Sequence, residues 1–232
     1  MKIEIWSDYV CPFCYIGKRK LEKALAQFDY ANQVEIVFKA YELNPYASET
    51  PDGVGYEGFA KAKNVTIEKA RSMMDPIVGV AAQYGLEYHM DKTLMVNTHK
   101  AHRLAKWART FNKEIELSEL LMNANFKLCL NLADNEVLLS LVKDIGLDQN
   151  LALKVLESDQ YSDVVKTEIE EAIQLGVRGV PFFVFNRKYA ISGAQPDEQF
   201  VLALKKAYED SVTFEELATD EDQLCGDDGC EI

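Results

Sequence analysis

Two cysteines stand two residues apart in Val10-Cys11-Pro12-Phe13-Cys14, where a strand-like stretch gives way to a helix-like one. A Cys-x-x-Cys pair in that position points first to thiol–disulfide chemistry. The reason is electrostatic. The first thiol meets free backbone N–H groups and the positive end of a helix dipole, which favour a thiolate. Pro12 suits the first helical position, because it has no N–H to lose and its φ is already set. Cys14 follows one turn on, within reach of the first sulfur. In this reading Cys11 is the exposed nucleophile that attacks a substrate disulfide, and Cys14 is the thiol that displaces the mixed disulfide. The reverse direction delivers a disulfide to a dithiol. Spacing alone also allows half of a zinc site or two core thiols.

Other residues bear on the same chemistry. Val180-Pro181 opens a strand-like run, Phe182-Phe183-Val184-Phe185. A cis-proline there would offer the open Val180 carbonyl and no competing N–H to a substrate backbone, and cis bonds cost little only before proline. Gly176 and Gly179 fit a tight approach of this kind. A second pair, Cys225-Gly226-Asp227-Asp228-Gly229-Cys230, has two glycines that permit the turn of a disulfide. It reads as an auxiliary redox couple, with a metal clip or an inert tail as alternatives. Its acidic neighbours oppose thiolate formation, which suits a resolving role. Cys129 lies in the apolar run Leu120–Leu132 and reads as a buried core thiol. His99 and His102 are three apart, but no nearby Cys or carboxylate completes a metal site. Trp6 and Trp107 read as core aromatics.

The elements that would hold these residues follow from periodicity. Lys2–Ser7 and Val34–Ala40 alternate as strands do, and Pro12–Phe28 between them is helical. Pro45–Gly58 reads as a loop. Helical periodicity then runs to about Gln174, broken near Gly85–Thr93, Asn112–Ile115, Leu132–Asp134 and Gly146–Gln149. Thr66, Ser118 and Asp134 look like helix starts, and Pro76 should kink or end a helix. A strand at Val180–Phe185, a turn at Asn186-Arg187, a strand at Lys188–Ser192 and a helix at Pro196–Glu209 close the order. The fold class is therefore α/β, a thioredoxin-like fold with a large inserted all-helical domain. The expected boundaries are 1–44 and 175–212 for the thioredoxin-like part, 45–174 for the insertion, whose last helix could pack on the sheet, and 213–232 for an acidic tail.

Composition narrows the classes. The 232 residues carry a net charge of −13, and the ten acids after Lys206 account for most of it, leaving 28 acids against 25 bases elsewhere. With no basic stripe, a nucleic-acid partner is not expected. No apolar run is long enough for a membrane span. Met1-Lys2 leads directly into a strand, without a secretory leader, so the expected location is cytoplasmic. Disulfides there are rarely structural, which leaves five cysteines for catalysis, metal or packing.

Three blocks carry a family resemblance: Ser7-Asp8-Tyr9-Val10-Cys11-Pro12-Phe13-Cys14-Tyr15-Ile16-Gly17, Asn97-Thr98-His99-Lys100-Ala101-His102-Arg103-Leu104, and Gly176-Val177-Arg178-Gly179-Val180-Pro181-Phe182-Phe183-Val184. Together with Ser192-Gly193-Ala194-Gln195 they resemble the DsbA-type thioredoxin-fold family, and within it the cytoplasmic FrnE-like branch, over nearly the whole chain. The resemblance implies a thiol–disulfide oxidoreductase or protein disulfide isomerase with Cys11 as nucleophile, Cys14 as its partner and Pro181 as the cis-proline. It implies protein thiols and disulfides as partners, with glutathione or another thiol system for recycling, no bound cofactor, no metal, and room for a homodimer. The tail pair Cys225 and Cys230 is similar to an extra cysteine motif of that branch. Relatives such as the hydroxychromene-carboxylate isomerases place the helix after Asn97 beside the active site, so Asn97 and His102, with Pro12 and Phe13, are expected in the substrate groove. Phe13 stands where the DsbA oxidants carry His, so a less oxidising couple is expected, between about −120 and −270 mV. Two other readings stay open: a glutathione-dependent isomerase or transferase on a small molecule, and a zinc-binding or chaperone-like module.

Overall fold

The computed structural model describes residues 1–212. The elements run β1 (Lys2–Ser7), α1 (Pro12–Leu25), β2 (Glu35–Ala40), α2 (Gly55–Lys63), α3 (Ile67–Ala82), α4 (His99–Arg109), α5 (Glu114–Phe126), α6 (Asn135–Asp144), α7 (Gln149–Leu156), α8 (Ser162–Gln174), β3 (Phe182–Phe185), β4 (Tyr189–Ser192) and α9 (Asp197–Val212). The sheet order is β2-β1-β3-β4, with β1 and β2 parallel and the other pairings antiparallel. Both faces of β1 are covered: even Glu4 is buried.

One face carries Ile3, Ile5, Phe183 and Phe185, packed with Phe200 and Leu204 of α9 and with α1. Phe183 meets Phe200 edge-on, with centroids 5.0 Å apart. The other face carries Trp6 and Val184 against Ala172 of α8 and Val177. Thus α8, although inside the 45–174 block, is a layer of the thioredoxin-like part. Trp6 donates from Nε1 to the Glu168 carbonyl of α8 at 2.8 Å.

Several local expectations need correction. The start expected at Ser118 lies inside α5, which begins at Glu114 with acids in its first turn, favourable to the dipole. Ser118 is instead fully buried, 3.2 Å from the Tyr9 hydroxyl. Helix α3 continues through Pro76; both Pro76 and Ser72 are exposed, so water can take the carbonyl that the missing N–H leaves. Cys129 is not in the helix: α5 stops at Phe126, and Cys129 has a left-handed φ of 55° with a half-buried side chain. Thr66 and Asp134 do cap α3 and α6 with their side chains. The Asn186-Arg187 turn has positive φ at both residues.

Candidate active site

Cys11 is the N-cap of α1 and Pro12 its first residue, so the sulfur of Cys11 stands at the positive end of the helix. Its carbonyl accepts the Cys14 N–H at 3.0 Å, which closes the turn around Pro12-Phe13. The peptide Val180-Pro181 is cis, and the Cys11 thiol donates to the Val180 carbonyl at 3.4 Å. The approach that brings these together is at Gly17. A Cβ there would lie 3.0 Å from side-chain atoms of both Phe183 and Pro181, so glycine lets α1 settle on the cis-proline without pushing either ring aside. Gly176 and Gly179, where a close approach was expected, have open space around them; Gly176 serves instead as a left-handed residue just after α8.

Cys11 is less open than an exposed nucleophile: it is only 5 % exposed and Cys14 2 %. Access is through a cleft of about 730 Å³ between the redox turn and the helical insertion. Pro12 and Phe13 line it from the thioredoxin side, and Met73, Met74, Met90 and Met95 from the other. Phe13, Leu43, Tyr46 and Met73 also stand exposed at its rim. Burial pushes the Cys14 thiol up, as does proton sharing with Cys11; the Ser7 hydroxyl and the Asp8 N–H oppose this without overcoming it. Cys14 is thus held as a protonated partner behind Cys11. Both are free thiols here, as is Cys129. Cys225 and Cys230 lie outside the described residues.

The insertion braces the redox turn. Tyr88, buried and stacked on Phe126 at 4.5 Å, donates its hydroxyl to the Pro12 carbonyl at 2.8 Å. Asn97 and His102 are not in the groove. Asn97 donates to the Pro45 carbonyl at 3.0 Å and accepts the His99 N–H at 2.9 Å, so it ties the 45–54 loop to the start of α4. His102 is 2 % exposed and lies beneath the turn, with its Nε2 3.6 Å from Asp8 Oδ1. His99 bridges Glu42 and Ser162 at 2.7 and 3.2 Å, which stitches the end of the β2 segment to α8.

Sequence reasoning missed Tyr88, Asp8 and a buried ion network one turn further along α4. Lys106 Nζ lies 2.8 Å from Glu114 and 2.7 Å from Glu168, and donates to the Phe38 carbonyl at 2.9 Å. Arg109 pairs with the same two carboxylates at 2.7 and 3.2 Å. His102, Lys106 and Arg109 are spaced i, i+4, i+7. That periodicity was visible in the sequence and marks one polar helix face, but such a face reads as solvated, and only the packing shows it buried. Among the described residues, no group of three or more His, Cys, Asp or Glu is placed to hold a metal, and no helix is long and apolar enough to cross a membrane.

This sheet, this cysteine pair at a helix start and this cis-proline define a thioredoxin-fold thiol oxidoreductase. The chain belongs to the DsbA-like thioredoxin domain family, whose model matches residues 2–205. It is similar to a probable DsbA oxidoreductase from Streptomyces coelicolor, with 35 % identity, a TM-score of 0.86 and coverage of 100 % of this chain and 99 % of that one. Two more distant structures share the fold. A 2-hydroxychromene-2-carboxylate isomerase has 15 % identity and a TM-score of 0.66, covering 91 % and 98 %. The cytosolic disulfide reductase DsbM from Pseudomonas aeruginosa, solved with glutathione, has 14 % identity and a TM-score of 0.62, covering 90 % and 100 %. At such identities only the fold is shared, and the site residues must decide the chemistry.

Proposed function

We propose that this protein is a dithiol–disulfide oxidoreductase or isomerase of protein disulfides, working in the cytoplasm through Cys11 and Cys14. The observation that carries the reading is the Cys11 sulfur set 3.4 Å from the Val180 carbonyl of a cis peptide. A thiolate on Cys11 attacks a substrate disulfide. One substrate sulfur bonds to Cys11, and the other leaves with the electron pair and takes up a proton. The Cys14 sulfur then attacks the Cys11 sulfur. The Cys11–Cys14 bond forms, the bond to the substrate breaks, and the substrate leaves as a dithiol. The protein pair has been oxidised by two electrons, and glutathione or another thiol restores it by two exchanges. Isomerisation uses the first step and its reversal.

The apolar rim of Phe13, Leu43, Tyr46 and Met73 supports a polypeptide substrate, since methionine and aromatic side chains adapt to varied apolar partners. Phe13 brings no charge to the turn, which supports a couple less oxidising than about −120 mV. The tail pair Cys225 and Cys230 is assigned an auxiliary redox role on its spacing.

Insulin reduction with glutathione, measured beside conjugation of chlorodinitrobenzene, tests the proposal. Catalysed insulin reduction that disappears in Cys11→Ser is expected. No insulin reduction, with conjugation that survives Cys14→Ala, would replace it with a small-molecule glutathione enzyme.

A further inference from the structure

Two side-chain atoms beside the redox turn are sealed from water and have no hydrogen-bond partner: Asp8 Oδ1 and His102 Nε2. They face each other. Asp8 Oδ1 and His102 Nε2 lie 3.6 Å apart, both residues nearly fully buried. Sealed in this way, each has only the other to turn to. A movement of about half an ångström would bring them to hydrogen-bond distance. The rest of Asp8 is well tied. Its other oxygen accepts the Leu43 N–H at 2.7 Å. Its carbonyl accepts the Cys11 N–H at 3.1 Å, and its N–H, like the Ser7 hydroxyl, favours a thiolate on Cys14. His102 is held by α4 and by the ring of Tyr9, 4.6 Å away between centroids. The Ser7-Asp8 dipeptide therefore touches both cysteines through its main chain and the helical insertion through its side chain.

This arrangement matters at one step of the proposed cycle, on which the inference rests. While Cys11 is in a mixed disulfide it shares neither proton nor charge with Cys14. What remains around the Cys14 sulfur is burial, which opposes a thiolate, and the Ser7 and Asp8 donors, which favour one. Attack on Cys11 needs that thiolate. Its proton ends on the substrate sulfur that leaves, while the electron pair of the Cys11–substrate bond goes to the same atom.

We propose that Asp8 and His102 are positioning residues of this resolving step: the pair anchors Asp8 so that its N–H and the Ser7 hydroxyl stay on the Cys14 sulfur as it becomes the attacking thiolate. The helical insertion thereby reaches under the thioredoxin-like part and acts on the second cysteine rather than on the substrate.

The test is rapid mixing of the reduced full-length protein with 4,4′-dithiodipyridine, in a background where Cys129, Cys225 and Cys230 are changed to serine. Attack by Cys11 releases the first coloured thiopyridone, and attack by Cys14 releases the second. In His102→Leu the second release is expected to slow about tenfold or more and the first by less than about threefold. His102→Gln, whose amide can donate to Asp8, is expected to restore the second release to within about threefold. If His102→Leu does not fold, Ser7→Ala takes its place and should slow the second release about fivefold while sparing the first. An unchanged second release, equal slowing of both steps, or a glutamine variant as slow as the leucine one would overturn the inference. A parent protein that releases only one equivalent would instead overturn the proposed function.

Discussion

Two buried polar clusters lie along the same face of α4, and they are finished to different degrees. Around Lys106 and Arg109 every charge meets a partner: two carboxylates, the Phe38 carbonyl, and the Ala40 N–H at 2.7 Å from Glu168. Around His102 two polar atoms, its own Nε2 and Asp8 Oδ1, are left without one. A buried unsatisfied group costs about 1–3 kcal/mol, so the second cluster is kept at a loss that the first does not bear. The satisfied network joins α4, α5 and α8 to β2 and holds the insertion on the sheet. The unsatisfied one lies behind the redox turn, where charge appears only during reaction. Incomplete pairing thus sits where the chemistry needs partners later in the cycle.

The comparison can be broken from either side. The largest effect belongs to the redox turn: Cys11→Ser should lower insulin reduction by about a thousandfold or more without a loss of fold seen by circular dichroism. Lys106→Met should do the reverse. It leaves Glu114 and Glu168 buried beside one cation fewer, and should cost about 3–5 kcal/mol in urea unfolding. Turnover per folded molecule should stay within about threefold.

Acid sharpens the same contrast. Burial alone would raise the Glu168 carboxyl, but Lys106, the Ala40 N–H and Arg109 outweigh it and hold it below the ordinary carboxylate value. A depressed folded value means stability present above the unfolded carboxylate range, about 4.3, and lost as pH falls through the folded value. Unfolding midpoints between pH 6 and 3 should fall more steeply for the parent than for Glu168→Gln, and parallel curves would remove the network from the account. The smallest effect is at the brace. Tyr88→Phe removes one hydroxyl from the Pro12 carbonyl and should cost about 1 kcal/mol, with insulin reduction changed by less than about threefold.

Much of the site was legible because its chemistry is written in adjacent residues. Cys11, Pro12 and Cys14 define a helix start by themselves, and Val180-Pro181 precedes an unbroken apolar strand. The order of strands and helices followed from alternation at Lys2–Ser7 and the long helical block. What was not legible depends on contacts far apart in the chain. Ser118 looks like a helix start, but its burial against Tyr9 places it inside α5. His102 looks like a groove residue, but α4 turns it under the turn toward Asp8. Cys129 looks like core, but α5 ends three residues before it, in a left-handed bend. The close approach at the cis-proline comes from Gly17 on α1, while the glycines preceding Pro181 stand free.

The most direct measurement of the central claim is mass spectrometry of the Cys14→Ala protein after incubation with native, disulfide-bonded insulin or a cell extract. Mixed disulfides on Cys11, released by dithiothreitol, are the predicted result. An unmodified Cys11, with no adduct or with adducts on Cys129 alone, would contradict it.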